Sequence, residues 1–458
     1  MSLMYNKKIA LDKMTEGEKK ASVIYSKEYI NFLKNCKTEW ECANFFEQML
    51  QKKGFKNIDD VKNLKAGDKV YFLNKEKSIY AAIIGKEDIK NGMLMIGAHV
   101  DSPRLDLKPM PLCESFNIAL FRTQYYGGIK KYQWLTIPLA MHGIIYNSKG
   151  EKISIVAGEQ GDDYCFNISD LLPHMAREQM KKSASEFIDP EDMRIVVGSY
   201  PDESAEKEKI KANVMKILNE KYGIEEIDFA RSEIEFVPAH EPKFLGFDKG
   251  LIGGYGHDDR VCAYAAINAL VDVKEPEKTI VALAVDKEEV GSIGTTGMQS
   301  QTFDMFVKDI IEKTNSAVSI ERVYYNSKML SADVSTCMDL SSAAVVDEQN
   351  GNIVGHGISL EKYTGGSGKG DASEASAKYM SEIMSLFDRE KVAYQMGTLG
   401  KIDKGGGGTI AYILANKGVS VVDCGTPVIS MHSPYETVSV LDVFMTYKAY
   451  KAFYENLK

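Results

Sequence analysis

The chain reads as an α/β protein with a mixed, mostly parallel sheet, and three observations carry that reading. From about residue 250 onward, helical and strand-like segments alternate. The strands of that half, such as Thr279–Val285, are almost continuously apolar, as strands covered by helices on both faces must be. The chain has 458 residues, about three times a common domain, so a second domain is expected beside the sheet.

Taken in order, residues 25–53 carry Tyr29, Phe32, Leu33, Phe45, Phe46 and Leu50 at roughly helical spacing. Short β-rich runs follow at 69–73, 79–84 and 93–96, each bounded by charge or glycine. The stretch from about 105 to 245 differs in character. It holds alternating segments such as 153–156, a charge-rich helical section at 203–222 and loop-like punctuation, with no dense cluster of metal-ligand residue types. Beyond it the spacing predicts helices at 261–271, 372–387 and 438–454, and buried strands at 279–285 and 419–422.

Composition narrows the function. With 44% hydrophobic and 26% charged residues the chain is an ordinary globular one, and its net charge of −9 leaves no excess of Lys and Arg to neutralise phosphates, which excludes a nucleic-acid surface. Seven scattered cysteines without a C-x-x-C pair make a disulfide framework unexpected. The first twenty residues are polar and no apolar run approaches about 20 residues, so we expect a cytoplasmic protein with no membrane contact.

Seven histidines allow each to be weighed singly. His99 ends an apolar run, and Asp101 two residues on shares its face if the strand continues, where a carboxylate can orient the imidazole for a metal. The plain alternative is a strand-end histidine packed on a loop. His-Asp-Asp-Arg at 257–260 leads into a helix; one aspartate could cap it, and Asp258 could bridge two cations. The strongest signal is Glu288 and Glu289, just past a buried strand at the edge where open α/β sheets bind ligands. One of two adjacent glutamates can coordinate a metal while the other takes a proton from water. Asp333 follows another short apolar run, and His432 lies in a loop before the last helix. Imidazoles and carboxylates without thiolate suit a pair of zinc, cobalt or manganese ions.

Other patterns are weaker. Thr-Gly-Gly-Ser-Gly-Lys-Gly at 364–370 lacks the first glycine of a phosphate loop and the hydroxyl residue after its lysine. The glycine run 405–408 before Thr409 reads as a flexible loop approaching the substrate. No nucleophile elbow occurs. His142, His174, His240, His257 and His356 are read as structural.

The motifs Gly-Ala-His-Val-Asp-Ser-Pro at 97–103, His-Asp-Asp-Arg at 257–260, Glu-Glu-Val-Gly at 288–291, Ser-Ala-Asp at 331–333 and Met-His-Ser at 431–433, in this order, resemble the aspartyl aminopeptidase family, which includes vacuolar aminopeptidase I. The resemblance implies two zinc ions per chain. His99 and Asp333 would hold one, Glu289 and His432 the other, and Asp258 would bridge them. It makes Glu288 the general base and Asp101 the orienter of His99. It implies a discontinuous catalytic domain, 1–104 and 246–458, interrupted by a β-rich assembly and access domain at 105–245. It also implies peptide substrates and a large homo-oligomer, a dodecamer.

Acid-selective members of the family hold the substrate carboxylate with a basic residue, and none of Lys362, Lys369, Lys401 or Lys404 is matched to it. The substrate-binding residues are therefore unassigned, and acidic and neutral N-terminal residues are both expected. A carboxypeptidase or deacylase of the same clan would share the metals but hold a substrate carboxylate with Arg. A non-catalytic oligomeric shell would not need Glu288.

Overall fold

A computed structural model describes residues 3–4, 6–159, 161–370 and 372–457. The chain falls into two compact units: Met1–Asp101 with Pro242–Met431 and Tyr435–Lys458, and Ser102–Glu241 with His432–Pro434.

The first unit is organised by a nine-stranded sheet. Its spatial order is Lys56–Asn57, Lys69–Asn74, Ser78–Ile83, Thr279–Val285, Met93–His99, Lys328–Ser331, Ser420–Gly425, Ile358–Glu361 and Tyr394–Met396. From Thr279–Val285 to Ser420–Gly425 the neighbours run parallel, and antiparallel strands flank them on both sides. The mixed, mostly parallel sheet read from the sequence is what forms.

Alternate residues of each strand feed two cores, which explains the near-continuous apolar runs. Leu94, Ile96 and Ala98 join one core with residues of the helices His257–Asp272 and Val440–Asn456. Met93 and Met95 join the other, with Phe303, Phe306 and Ile310 of the helix Thr302–Lys313. Helices on both faces make three layers. A smaller five-stranded sheet, Lys243–Leu245, Leu251–Gly254, Glu436–Ser439, Pro427–Ile429 and Ser335–Thr336, gathers segments far apart in the chain.

Two local readings need correction. The stretch 25–53 is two helices, Glu16–Asn35 and Glu39–Lys52. The second starts afresh because the Thr38 hydroxyl accepts the Glu41 N–H while the Glu41 carboxylate accepts the Thr38 N–H, a reciprocal cap that ends any continuous helix. The helical section predicted at 203–222 begins only at Lys209, and Gly223 closes it in a left-handed conformation (φ 67°).

The second unit is a seven-stranded antiparallel sheet in the order Lys152–Ala157, Leu139–Tyr146, Ser232–Pro238, Arg104–Ser115, Ile118–Tyr126, Ile195–Gly198 and Asn167–Ile168, with the helix Lys209–Tyr222. It is β-rich, as the resemblance implied. Phe121, Phe166, Phe229 and Phe236 meet edge to face or tilted in its interior. Arg104 is buried under a cation–π contact with Tyr126 (3.8 Å) and pairs with Asp106 (2.8 Å) and Glu235 (3.2 Å). Among the described residues no helix is long and apolar enough to cross a membrane.

Candidate metal centre

Parallel strands deliver their carboxyl ends to one edge, and there the sheet presents its ionisable residues. His99 is the last residue of Met93–His99, Asp286 follows Thr279–Val285 directly, and Asp333 lies two residues past Lys328–Ser331. The His99 Nε2 is 3.1 Å from Asp258 Oδ1 and 3.8 Å from Asp333 Oδ1. Ligand atoms of His99, Asp258 and Glu289 all lie within 4.8 Å of one another, and so do those of His99, Glu288 and Asp333. The two groups share one imidazole.

The other imidazole nitrogen is committed. Nδ1 of His99 is 2.9 Å from the main-chain oxygen of Asp101 and 3.3 Å from its Oδ1, so Nδ1 carries a proton and Nε2, which faces the carboxylates, is the nitrogen that a metal would take by displacing its proton. The Asp101 carboxylate has a second task, because Oδ1 accepts the Glu288 N–H and Oδ2 the Glu289 N–H, each at 3.2 Å. One wholly buried aspartate therefore sets both the ring of His99 and the turn carrying the paired glutamates.

Neither aspartate at the start of His257–Asp272 caps that helix. The cap position is Gly256, with no side-chain bond, and Asp258 and Asp259 have non-helical dihedral angles and are joined by a cis peptide. Their side chains turn toward His99 instead: Asp258 meets Nε2, and Asp259 Oδ2 accepts the His99 main-chain N–H at 3.3 Å. Gly256 has φ 73°, a conformation that favours glycine, and a Cβ there would displace the Arg260 guanidinium. Arg260 is fully buried, donates to the Cys36 carbonyl and lies 4.8 Å from the Tyr255 ring.

Sequence reasoning missed Glu436 and gave Asp259 no role of its own. Buried Glu436 accepts the Asp258 N–H on Oε2 at 3.0 Å. It stands four residues after His432, but nothing in that spacing tells it from any other acidic residue. His257 is a core histidine, as read. Its Nδ1 is 2.8 Å from the Tyr29 hydroxyl, and burial, helped by the Arg260 charge, pushes its pKa down to about 3, so it stays neutral.

The electrostatics fit a cation. Burial, then the neighbouring Glu288 charge, raises Asp333 well above the ordinary carboxylate range, and burial does the same to Asp259. Burial disfavours a charged His99, yet its hydrogen bonds to Asp101 and Asp258 outweigh that and raise it well above the usual imidazole value. Carboxylates crowded around an imidazole, all nitrogen and oxygen donors, form the donor set that divalent zinc-like ions take. His432 belongs to the second unit. Its Nδ1 is 2.8 Å from the Gly128 carbonyl oxygen, a contact that fixes the orientation of the ring.

Against known proteins, the model of the aminopeptidase I zinc metalloprotease (M18) family matches residues 32–454. A curated relative, a probable M18 family aminopeptidase 1 of Clostridium acetobutylicum, is 44% identical over 99% of each chain. The crystal structure of an M18 family aminopeptidase from Thermotoga maritima superposes with a TM-score of 0.95 at 40% identity, covering 99% of this chain and 100% of that one. A more distant fold match, at 22% identity and a TM-score of 0.77 over 96% of this chain and 98% of the other, is the S. cerevisiae mApe1 dodecamer.

Proposed function

The chain belongs to the aminopeptidase I zinc metalloprotease family, M18, and on that premise we propose how its residues divide the work of removing an N-terminal residue from a peptide. It is a metalloexopeptidase. The observation that supports a metal centre at this edge is that two groups of ligand atoms meet on His99, one with Asp258 and Glu289 and one with Glu288 and Asp333.

In our reading His99 and Asp333 would hold one divalent ion and Glu289 and His432 a second, with Asp258 available to both. Zinc is the expected metal, with cobalt or manganese able to replace it. Two such ions, when bound, lower the pKa of water and polarise the scissile carbonyl. Glu288 takes the proton of the attacking water and hands it to the leaving amine. Asp101 holds the Nδ1 proton of His99 and the main chain of Glu288, so the base and the ligand keep their relative places. A free α-amino group, recognised at the same carboxylate-rich edge, restricts cleavage to the first peptide bond.

Glu288 falls within a ligand group with His99 and Asp333, so its role as a base needs its own test. Glu288→Gln should retain both zinc ions by elemental analysis and lose most of kcat, on the order of 10²–10⁴-fold. Glu289→Gln should lose zinc first. Equal zinc loss in the two variants, or an active Glu288→Gln, would show the roles wrongly assigned.

The second unit, in our reading, serves assembly and access, since His432 is the one proposed ligand it carries. The yeast relative is a dodecamer, and we propose a large homo-oligomer here as well. Substrate preference is proposed to be broad, with acidic and neutral N-terminal residues both accepted.

A further inference from the structure

The glycine run 405–408 was expected to be there for flexibility, but its surroundings give most of it another reason. A Cβ on Gly405 would lie 2.6 Å from the Leu399 carbonyl oxygen, and one on Gly406 would lie 2.6 Å from that of Gly365. The Gly365 N–H donates to the Gly407 oxygen at 2.7 Å, so the run lies backbone to backbone against the loop 364–370. These glycines permit close approach. Gly408 alone has open space where a side chain would go, and it is exposed.

The run ends in a clasp. The Thr409 hydroxyl donates to Asp423 Oδ1 at 2.6 Å and accepts the Ala411 N–H at 3.2 Å, while the Ser331 hydroxyl approaches it at 3.3 Å. Ser331 and Asp423 are register partners on adjacent parallel strands, and Ser331 also pairs with Gly97. The clasp therefore grips the sheet two residues before His99 on one strand and two before Asp333 on the next, about 7 Å along the strands from those ligands. Asp423 is buried beside Glu361, its cross-strand neighbour, and hydroxyl donors meet its carboxylate. Burial pushes its pKa up to about 6, which leaves it ionised, and its bond to Thr409 charge-assisted, in assays near pH 8.

Resting on the aminopeptidase reading above, we propose that Thr409 and Asp423 are positioning residues, which fix the run 405–408 beside the metal-binding edge so that its exposed end at Gly408 holds the main chain of the peptide substrate. Contacts to a substrate main chain are made in the ground state and the transition state alike, so their loss falls on KM more than on kcat.

The test uses Thr409→Val, which keeps the shape and removes the hydroxyl, and Thr409→Ser, which restores it. Each is compared with wild type in zinc content, in hydrogen exchange of the amides at 405–411, and in hydrolysis of an N-terminal-leucine tetrapeptide. Thr409→Val should exchange faster at 405–411, keep its zinc and show KM raised tenfold or more with kcat within about threefold; Thr409→Ser should stay near wild type. Unchanged exchange in Thr409→Val would overturn the clasp. Faster exchange with KM within twofold of wild type would overturn the substrate contact, and zinc loss matching the activity loss would reassign both residues to the metal site. A wild-type protein inert on peptides would sink the functional reading and the substrate contact with it, while the exchange measurement still judges the clasp.

Discussion

Replacing Asp101 by asparagine removes one charge and turns one acceptor atom into a donor. In the wild type the two carboxylate oxygens accept the Glu288 and Glu289 N–H groups, each at 3.2 Å, while Oδ1 also lies 3.3 Å from His99 Nδ1. An asparagine amide has one oxygen, so whichever way it turns, its NH₂ faces one of those N–H groups. One charge-assisted bond, worth about 1.5–3 kcal/mol, is lost outright, and the other falls to the strength of a neutral one. The loss is about 3 kcal/mol, or about a hundredfold in an equilibrium or rate constant. It should appear as weaker zinc binding and lower kcat/KM together, because the same carboxylate sets a ligand and the turn of the base. Zinc titration against a chromogenic chelator and hydrolysis of leucine-nitroanilide measure both. Asp101→Asn within threefold of wild type in both would refute the reasoning.

Four further outcomes are expected. Tyr29→Phe removes the buried hydroxyl at His257 Nδ1 and should cost about 1–3 kcal/mol in urea unfolding, with zinc content unchanged. Burial raises Glu361 to about 7 despite the hydroxyl bond from Ser335, so the folded state holds this proton more tightly than the unfolded one. The stability it contributes is present below the ordinary glutamate range and is lost as pH rises through about 7; Glu361→Gln should therefore gain on wild type between pH 5 and pH 8, by about 2–3 kcal/mol in melts at fixed zinc. The kcat/KM values for Asp-, Glu- and Leu-nitroanilides should agree within about a hundredfold; a larger advantage for Asp and Glu, abolished by Lys369→Met or Lys404→Met, would restore strict acid selectivity. Light scattering should find a particle many times the 51.0 kDa chain, and an active monomer would reject assembly.

The sheet was legible because its strands are apolar without interruption, and the chemistry was legible because acidic residues and a histidine stand where those runs stop. His99 ends a short buried strand and Glu288, Glu289 and Asp333 lie just past others, and strand ends are places a sequence can mark. Glu436 and Arg260 were not legible as partners. Their contacts, to the Asp258 N–H and the Cys36 carbonyl, join residues 178 and 224 positions apart, and no local pattern encodes such a meeting. The break at Thr38 was written in the sequence as Thr-x-x-Glu, yet aromatic residues on both sides keep a helical period across it and mask the cap. Glycines 405–407 misled for another reason. A glycine that frees the chain and one that admits a close neighbour are the same letter, and only the positions of the Leu399 and Gly365 carbonyls and of the Leu399 side chain separate them.

The separation in sequence between Asp101 and the turn it holds also bears on the history of each molecule. Its bond to Glu289 spans 188 residues, and the strand ending at His99 finds its parallel neighbours only after the stretch Ser102–Glu241 of the second unit has been made. Contacts so distant form late, after the cost of closing long loops has been met. A chain still emerging from the ribosome, short of residue 288, holds His99 and Asp258 but neither paired glutamate. On the roles proposed above, a nascent chain gains its metal site only as the later strands of the sheet are made, so topology itself delays hydrolysis until synthesis is well advanced.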